Sequence, residues 1–319
     1  MILSSAIDAI GNTPLIDLAR ACAALGVEGR ILAKPDFLLP GFSKKDRAAR
    51  AIIEAARESG ALQPGQPVVE LTSGNMGTGL AIVCGILGHP FIAVMSRGNS
   101  VERARMMAAL GAEVVLVDQA PGSVPGQVSG ADLARVEEAA QRITRERGAF
   151  RADQFGHPGN PAAHETGTGP ELWEQSDGAI EVFADFVGSG GTLAGTARFL
   201  APKGVRCYAV EPRGAEAIAG GDTSQPDHPI QGGGYGMGDL VHLCDAPLAG
   251  TLTVSGAEAR DHARLLARTE GLFAGYSSGA NLAAAAALLR GPERGRTVGI
   301  VLCDSGLKYL STDLWADAS

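Results

Sequence analysis

Short apolar runs alternate with helix-like segments along much of the chain, and this alternation limits the fold more than any other feature. Six apolar runs have the length of a β-strand: residues 67–71, 91–95, 113–117, 180–187, 205–210 and 298–302. Helix-like segments lie between them, at residues 78–87, 100–111 and 193–200. Strands that alternate with helices indicate βαβ units and parallel sheets. We therefore predict an α/β fold, and 319 residues predict about two domains.

Charge and cysteine spacing narrow the possible partners. The net charge of −8, with no basic cluster longer than two residues, argues against nucleic acid or an anionic membrane as a partner. The most apolar stretch, residues 79–95, is interrupted by Gly85, Gly88 and Pro90, so no membrane span is predicted. None of the five cysteines forms a C-x-x-C pair, which predicts unpaired thiols in a reducing cytoplasm and no zinc site. The six histidines lack helical metal spacing, and we predict that they are surface or loop residues.

Two adjacent lysines follow a Pro-Gly turn in "PGFSKKDRAAR", residues 40–50. A helix is predicted from Lys44 to about Glu58, with Ser43 as its N-cap and Asp46 completing a capping box. At about 100° per residue, Lys45 falls on the apolar face, whereas Lys44 falls about 80° away and is predicted to be solvated.

A lysine that faces a protein core has unusual chemistry. Burial lowers the pKa of its amine, and a neutral amine attacks carbonyls and forms Schiff bases. The alternative is that the first helical turn frays and leaves Lys45 in water.

Polar, glycine-containing turns follow two predicted strands. "GSGGT", residues 188–192, opens a helix and suits a phosphate, although a tight turn without a ligand is the alternative. "TSGNMG", residues 72–77, suits a carboxylate and, through Asn75, a ring oxygen, although helix capping is the alternative. Ser277 and Ser278 precede a further helix, with the same alternative of capping.

A Schiff-base lysine, a phosphate turn and a carboxylate turn together suggest pyridoxal 5′-phosphate. The alternative from a different functional class is a non-catalytic, nucleotide-sensing protein that binds its ligand with the glycine turns alone. The first predicts a yellow protein whose colour requires Lys45, and the second predicts a colourless protein.

At this point the sequence resembles the cysteine synthase / cystathionine β-synthase family of fold-type II pyridoxal-phosphate enzymes over nearly its whole length. The matching motifs occur in the family's order: "IGNTPLIDL", "PGFSKKDRAA", "TSGNMGTGLA", "DQFGHPGNPAAHETGTGPELWEQ", "GSGGTLAG", "AGYSSGANLAAA" and "DSGLKYLSTDLW". The resemblance implies two three-layer α/β domains with mostly parallel sheets, as in the tryptophan synthase β subunit. Residues 37–148 would form a small mobile domain, and residues 1–36 with 149–319 the large cofactor-binding domain.

The resemblance also implies a role for each matched residue. Lys45 would carry the cofactor and move the Cα proton, Asn75 would bind the ring's 3′ oxygen, and Ser277 would face the ring nitrogen. The phosphate would lie against Gly188, Ser189, Gly190, Gly191 and Thr192. The substrate would be held by Thr72, Ser73, Gly74, Met76 and Gln154.

The implied reaction is β-replacement through an α-aminoacrylate, in which O-activated L-serine and a nucleophile, most simply sulfide, give cysteine or a related β-substituted alanine. The alternative is β-elimination, as in a cysteine desulfhydrase or a serine/threonine dehydratase. A neutral hydroxyl at Ser277 does not enforce protonation of the ring nitrogen, which favours loss of a β-leaving group over transamination. The family also implies a cytoplasmic homodimer that acts on a small amino acid.

Several residues around the substrate depart from the family pattern. The family usually has a small residue near Phe42, an apolar residue at Lys44 and threonine at Met76. Tyr235 and Met237 stand in a glycine-rich loop that borders the second-substrate entrance in the family. The cofactor motifs are intact, so these departures predict either a changed substrate or neutral drift within an ordinary cysteine synthase.

Overall fold

The computed structural model describes residues 2–126 and 128–316. In this part of the chain ten strands are found, numbered here in chain order: β1 (Ile16–Asp17), β2 (Arg30–Pro35), β3 (Val68–Leu71), β4 (Phe91–Ser96), β5 (Glu113–Val117), β6 (Phe150–Arg151), β7 (Val182–Phe186), β8 (Arg206–Pro212), β9 (Leu248–Val254) and β10 (Thr297–Leu302). Every apolar run that the sequence predicts as a strand contains one of them.

Eleven α-helices lie in the same described ranges: α1 (Ala19–Leu25), α2 (Lys45–Glu58), α3 (Asn75–Leu87), α4 (Val101–Ala109), α5 (Gly130–Arg147), α6 (Gly159–Ala163), α7 (Gly169–Gln175), α8 (Gly191–Leu200), α9 (Gly256–Glu270), α10 (Tyr276–Arg290) and α11 (Asp313–Ala316). A π-helical turn, His164–Thr168, joins α6 to α7. Among the described helices, none combines the length and apolar character needed to cross a membrane.

The larger sheet has the strand order β1-β2-β10-β7-β8-β9, and only β1 runs antiparallel to its neighbour. Ala21 of α1, Ala263 of α9 and Leu282 of α10 belong to the core on one face. Leu172 of α7 and Leu193 of α8 belong to the core on the other face. Because both faces are covered, the central strands read as continuous apolar runs rather than as an alternating pattern.

The smaller sheet is parallel throughout, with the order β5-β4-β3-β6. Ile52 of α2, Leu80 of α3 and Met107 of α4 pack on one face, and Val136 of α5 packs on the other. The chain therefore forms two three-layer α/β units with mostly parallel sheets, as predicted.

The predicted division of the chain at residues 37 and 148 stays a prediction. Two contacts join segments that this division places in different domains. Strand β6 pairs with β3 of the smaller sheet, although it follows residue 148. Ile7 and Ile10, from the segment before residue 37, pack in the core that contains α2 and α3.

The carboxyl ends of the two sheets face each other. Strand β3 ends at the turn that begins with Thr72, and β7 ends just before the glycine turn at residue 188. Ser43, just before α2, forms a β-bridge with Asp304, just after β10. The turns that the sequence singles out are therefore brought to one cleft, at the edge where ligands bind in α/β proteins.

Candidate active site

Lys45 is the first residue of α2, and its side chain is partly exposed. The turn before it is fixed to the larger sheet, because the Lys44 N–H donates to the carbonyl of Cys303 at 2.9 Å. Burial and then the ammonium of Lys44 lower the pKa of the Lys45 amine to about 8. A substantial fraction of this amine is therefore neutral near physiological pH, unlike an ordinary lysine.

Lys44 is buried, and the prediction that it is solvated is wrong. Its Nζ donates to both carboxylate oxygens of Asp185, at 2.8 and 2.7 Å, and the exposed fractions of the two side chains are 9% and 2%. Burial opposes the positive charge, but Asp185 holds the pKa of Lys44 above its ordinary value. Lys44 stands at the N-cap of α2 with helical φ and ψ of −56° and −18°, so the side of the helix that was predicted to face water faces Asp185 of the larger unit instead.

The predicted capping box is also absent. Ser43 Oγ is buried without a hydrogen-bond partner, and Lys44 stands at the N-cap without a side-chain cap. Asp46 instead accepts the N–H of Gly41 through Oδ2, at 2.5 Å. Asp46 and Arg47 are both buried, because this end of α2 lies between the two units.

The turn from Gly188 to Thr192 connects β7 to α8 and has no room for side chains at its glycines. A Cβ at Gly188 would lie 2.7 Å from the carbonyl oxygen of Gly232, and a Cβ at Gly191 would collide with Asn160. Gly190 has a left-handed φ of 85°. The first turn of a helix leaves backbone N–H groups without intrahelical acceptors, so this turn presents donors to an anion.

Two buried side chains that sequence reasoning missed support this turn. Asn160 Nδ2 donates to Ser189 Oγ at 2.9 Å. His164 Nε2 lies 3.3 Å from Thr192 Oγ1, and its Nδ1 lies 2.8 Å from Thr168 Oγ1. Burial and then the nearby cations hold the pKa of His164 well below its ordinary value, so the ring is neutral.

The prediction that the histidines are surface or loop residues is therefore wrong for His164 and for His242, which is buried in the 3-10 turn Val241–Leu243. His89 is also buried, but it lies in the loop between α3 and β4, as the prediction allowed. The signal for Asn160 and His164 was available in the matched motif of residues 153–175. The supporting role of these two residues could not be predicted, because it depends on contact with a turn more than 20 residues away in sequence.

Thr72, Ser73 and Gly74 form the turn between β3 and α3. Thr72 Oγ1 accepts the N–H groups of Gly74 and Gly77, both at 2.9 Å, so the capping alternative holds for this hydroxyl. Gly74 has a φ of 127°, and a Cβ there would collide with the side chain of Arg103. Ser73 is partly exposed, and its carbonyl accepts from Arg103 at 2.8 Å.

Neither the Met76 side chain nor the Gln154 amide nitrogen is free to contact a substrate directly. Met76 is 2% exposed and its side chain lies in the core under the smaller sheet, so this side chain is not available to a ligand in the cleft. Gln154 Nε2 donates to the Leu71 carbonyl at 2.9 Å and lies 3.4 Å from a Glu70 oxygen. A carboxylate could use this amide nitrogen only by displacing one of these acceptors.

Asn75 and Ser277 each lie in the first turn of a helix, α3 and α10 respectively. Asn75 is partly exposed, its Nδ2 donates to Asp304, and its Oδ1 accepts from Lys308, both at 2.8 Å. Ser277 is 8% exposed. The next serine, Ser278, is fully buried and accepts the N–H of Cys303 at 2.8 Å, so its role is structural.

Of the residues that depart from the family pattern, Lys44 and Met76 are buried, whereas Phe42, Tyr235 and Met237 are partly or fully exposed. Phe42 is 44% exposed and has a left-handed φ of 60°, which is rare for residues other than glycine. A cavity of about 430 Å³ is lined by Leu71, Phe155, Tyr235 and Met237, among others. Tyr235 thus stands between this cavity and the turn of residues 72–74.

No group of His, Cys, Asp and Glu side chains with the arrangement of a metal site occurs in the described ranges.

Replacing Lys44 with methionine should destabilise the fold strongly, because it leaves the buried Asp185 carboxylate without its partner. We expect Lys44→Met to lower the free energy of unfolding by about 3–5 kcal/mol, and Lys44→Met/Asp185→Asn to regain most of this loss. Urea denaturation of the three proteins measures both effects.

The matched control is Arg50→Met in the same helix, which removes an ion pair to Glu54 whose side chains are 36% and 47% exposed. Its cost should stay within about 1 kcal/mol. Equal stability of Lys44→Met and Arg50→Met would show that the buried pair does not stabilise the protein.

The geometry agrees with three comparisons with known proteins. The family model described as pyridoxal-phosphate dependent enzyme matches residues 6–304. Cysteine synthase 3 of Caenorhabditis elegans is 37% identical over 315 residues, which cover 97% of this chain and 89% of that protein. O-ureido-L-serine synthase superimposes with a TM-score of 0.88 at 34% identity, covering 100% and 97% of the two chains.

A hydrogen sulfide-producing enzyme from Fusobacterium nucleatum superimposes with a TM-score of 0.86 at 29% identity, covering 97% and 100%. The chain therefore belongs to the pyridoxal-phosphate-dependent enzymes and, within them, to the cysteine synthase group of fold type II that its motifs indicate.

Proposed function

We propose that this protein uses pyridoxal 5′-phosphate to exchange the β-substituent of an O-activated L-serine for a nucleophile, most simply sulfide, giving cysteine or a related β-substituted alanine. The observation that carries the proposal is the placement of Lys45. Its amine has a pKa of about 8 and lies in the cleft that the glycine turn and the Asn75 turn also reach.

The residues of the cleft fit this cofactor. The turn from Gly188 to Thr192 offers backbone N–H groups to a phosphate, and its glycines pack too closely against Gly232 and Asn160 to carry side chains. Asn75 has an amide N–H left for the 3′ oxygen, and Ser277 offers a neutral hydroxyl to the ring nitrogen. When bound, the cofactor supplies an electron sink for the carbanion that forms on loss of the Cα proton.

The protein's own groups have separate tasks in this proposal. Lys45 would hold the cofactor and would accept the Cα proton of the substrate. The turn of Thr72, Ser73 and Gly74, with the backbone N–H of Met76, binds the substrate carboxylate. Gln154 can donate to this carboxylate only after its amide nitrogen gives up Leu71 or Glu70, because an amide oxygen cannot donate.

The cavity next to Tyr235 bears on the size of the nucleophile that the protein accepts. Its volume of about 430 Å³ lies in the range of small-molecule sites, and much of its lining is apolar. A nucleophile larger than sulfide could therefore be accommodated beside the substrate. β-Elimination is the second candidate, supported by the likeness to a hydrogen sulfide-producing enzyme.

The localisation and assembly are part of the same proposal. The five cysteines are unpaired, and four are buried, which suits the reducing cytoplasm. Val101, Leu307 and Leu310 are large apolar side chains, about half exposed, which supports association into a homodimer. Light scattering after size-exclusion chromatography measures the mass, and a monomer at all concentrations would contradict the dimer.

Product analysis separates replacement from elimination. We expect holoprotein, supplied with O-acetyl-L-serine or O-phospho-L-serine, to form a β-substituted alanine only when a nucleophile is present. Sulfide, a small apolar thiol and hydroxyurea should be compared by mass spectrometry. Accumulation of pyruvate regardless of nucleophile would reject replacement in favour of elimination.

The lysine assignment has its own control in the same experiment. Lys45→Ala should lack both the yellow colour and activity, whereas Lys44→Met/Asp185→Asn should keep the colour. A yellow Lys45→Ala protein would reject Lys45 as the cofactor lysine.

The uptake of cofactor by apoprotein should depend on pH with a midpoint near 8. Only the neutral amine adds to an aldehyde, and the neutral fraction of Lys45 rises as pH passes its pKa of about 8. The rate should therefore increase with pH and level off above about 8, as followed by stopped-flow absorbance. Nα-acetyl-lysine with the same aldehyde corrects for titration of the cofactor, and a rate that rises to about pH 10, as for free lysine, would contradict the shift.

A further inference from the structure

Lys308 connects two turns of the cleft that are far apart in sequence. It lies in the 3-10 turn Gly306–Tyr309, after β10, and is 1% exposed. Its Nζ donates to the carbonyl of Gly41 at 2.7 Å and to Asn75 Oδ1 at 2.8 Å. One buried ammonium thus joins the turn before Lys45 to the turn that begins α3.

The two partners of Asn75 determine which way its amide points. Lys308 Nζ can only donate, and it contacts Oδ1. The Asp304 carboxylate accepts from Nδ2 at 2.8 Å. Exchanging oxygen and nitrogen would place donor against donor and acceptor against acceptor, so a single orientation is compatible with both neighbours.

This orientation leaves one hydrogen of Nδ2 available. Lys308 and Asp304 are fully buried, whereas Asn75 is partly exposed, so the amide is the part of the group that reaches the cleft. An amide nitrogen carries two hydrogens, and one of them is used by Asp304. The free group is therefore a donor.

Further side chains hold the acceptor side in place. The hydroxyl of Tyr309 donates to Asp304 Oδ2 at 2.8 Å, and Arg103 Nη2 lies 3.7 Å from the same oxygen. Burial lowers the pKa of Lys308 to about 8, opposed by the carboxylates of Asp304 and Asp46. Lys308 is thus largely an ammonium at neutral pH.

We propose that Lys308 is a positioning residue for the cofactor: it fixes the Asn75 amide so that an N–H, and not the carbonyl oxygen, meets the 3′ oxygen of pyridoxal phosphate. The inference rests on the proposed function, in which Asn75 contacts this oxygen. Lys308 itself acts through Asn75.

The proposal has a spectroscopic consequence. The lysine-bound cofactor exists as two tautomers, with the proton on the imine nitrogen or on the 3′ oxygen, and they absorb in the visible and the near ultraviolet respectively. A fixed N–H donor stabilises the negatively charged 3′ oxygen and hence the visible form. Without Lys308 the amide can turn over and present its oxygen, which disfavours that form.

The test is Lys308→Met in the holoprotein, with the ratio of the two absorbance bands and the dissociation constant of pyridoxal phosphate as readouts. We expect the visible band to lose intensity to the near-ultraviolet band and the dissociation constant to rise about tenfold, as for loss of one charge-assisted hydrogen bond. Lys308→Arg, which keeps a cationic donor, should restore much of the ratio.

Lys34→Met is the matched control. Lys34 is equally buried and donates to a backbone carbonyl, that of Thr13, and to an amide oxygen, that of Gln175, at 2.8 and 2.9 Å. It does not contact Asn75. Its replacement should leave the band ratio unchanged even if it lowers the stability of the fold.

A double-variant cycle separates this inference from the proposed function. Asn75→Ala should itself shift the ratio, and Lys308→Met should add nothing in that background. If Asn75→Ala leaves the spectrum unchanged, the assigned role of Asn75 is wrong. If Asn75→Ala shifts it but Lys308→Met does not, or if the two shifts add, Lys308 does not act through Asn75.

Should Lys308→Met fail to fold, Asp304→Asn tests the same orientation from the other side of the amide. It replaces the acceptor for Nδ2 by a group that can also donate. We expect at most a partial loss of the visible band, because Lys308 still holds Oδ1. Complete loss would show that Asp304 and not Lys308 fixes the amide, and would overturn the proposal.

Discussion

The ion pair between Lys44 and Asp185 is the interaction on which the arrangement of the cleft depends. It places a compensated charge next to Lys45, the proposed cofactor lysine, and fixes the start of α2 to the end of β7. A hydrophobic pair could fill the same space, but it would not set a positive charge next to the Lys45 amine. The neighbouring residue thereby contributes both to the position of Lys45 and to its low pKa.

The fold was predictable because it follows from local patterns, since apolar runs that alternate with helices indicate parallel strands. The phase of α2 places Lys45 on its apolar face, which supports the proposal that Lys45 is the reactive lysine. The fate of Lys44 was not predictable in this way, because its partner lies on a distant strand. A lone aspartate inside the apolar run "VFADFV" was the available signal, since a charge in a covered strand needs a partner.

The errors around the cleft share the same cause. The cap predicted at Ser43 and the exposure predicted for His164 both assumed an isolated helix or loop with one side in water. In the structure both residues lie where two or more elements meet, and tertiary contacts decide their partners. Asn160, His164 and Lys308 support the site through such contacts, so the motifs that contain them could be recognised while their tasks could not.

The hydroxyl of Thr72 has a consequence for substrate affinity. It accepts the N–H groups of Gly74 and Gly77, so hydrogen bonds within the turn of residues 72–77 fix its shape. The entropy lost in ordering this loop then belongs to the folding reaction and not to each binding event. In the proposed function, differences in affinity between substrates should therefore arise from their side chains rather than from the cost of arranging this turn around the carboxylate.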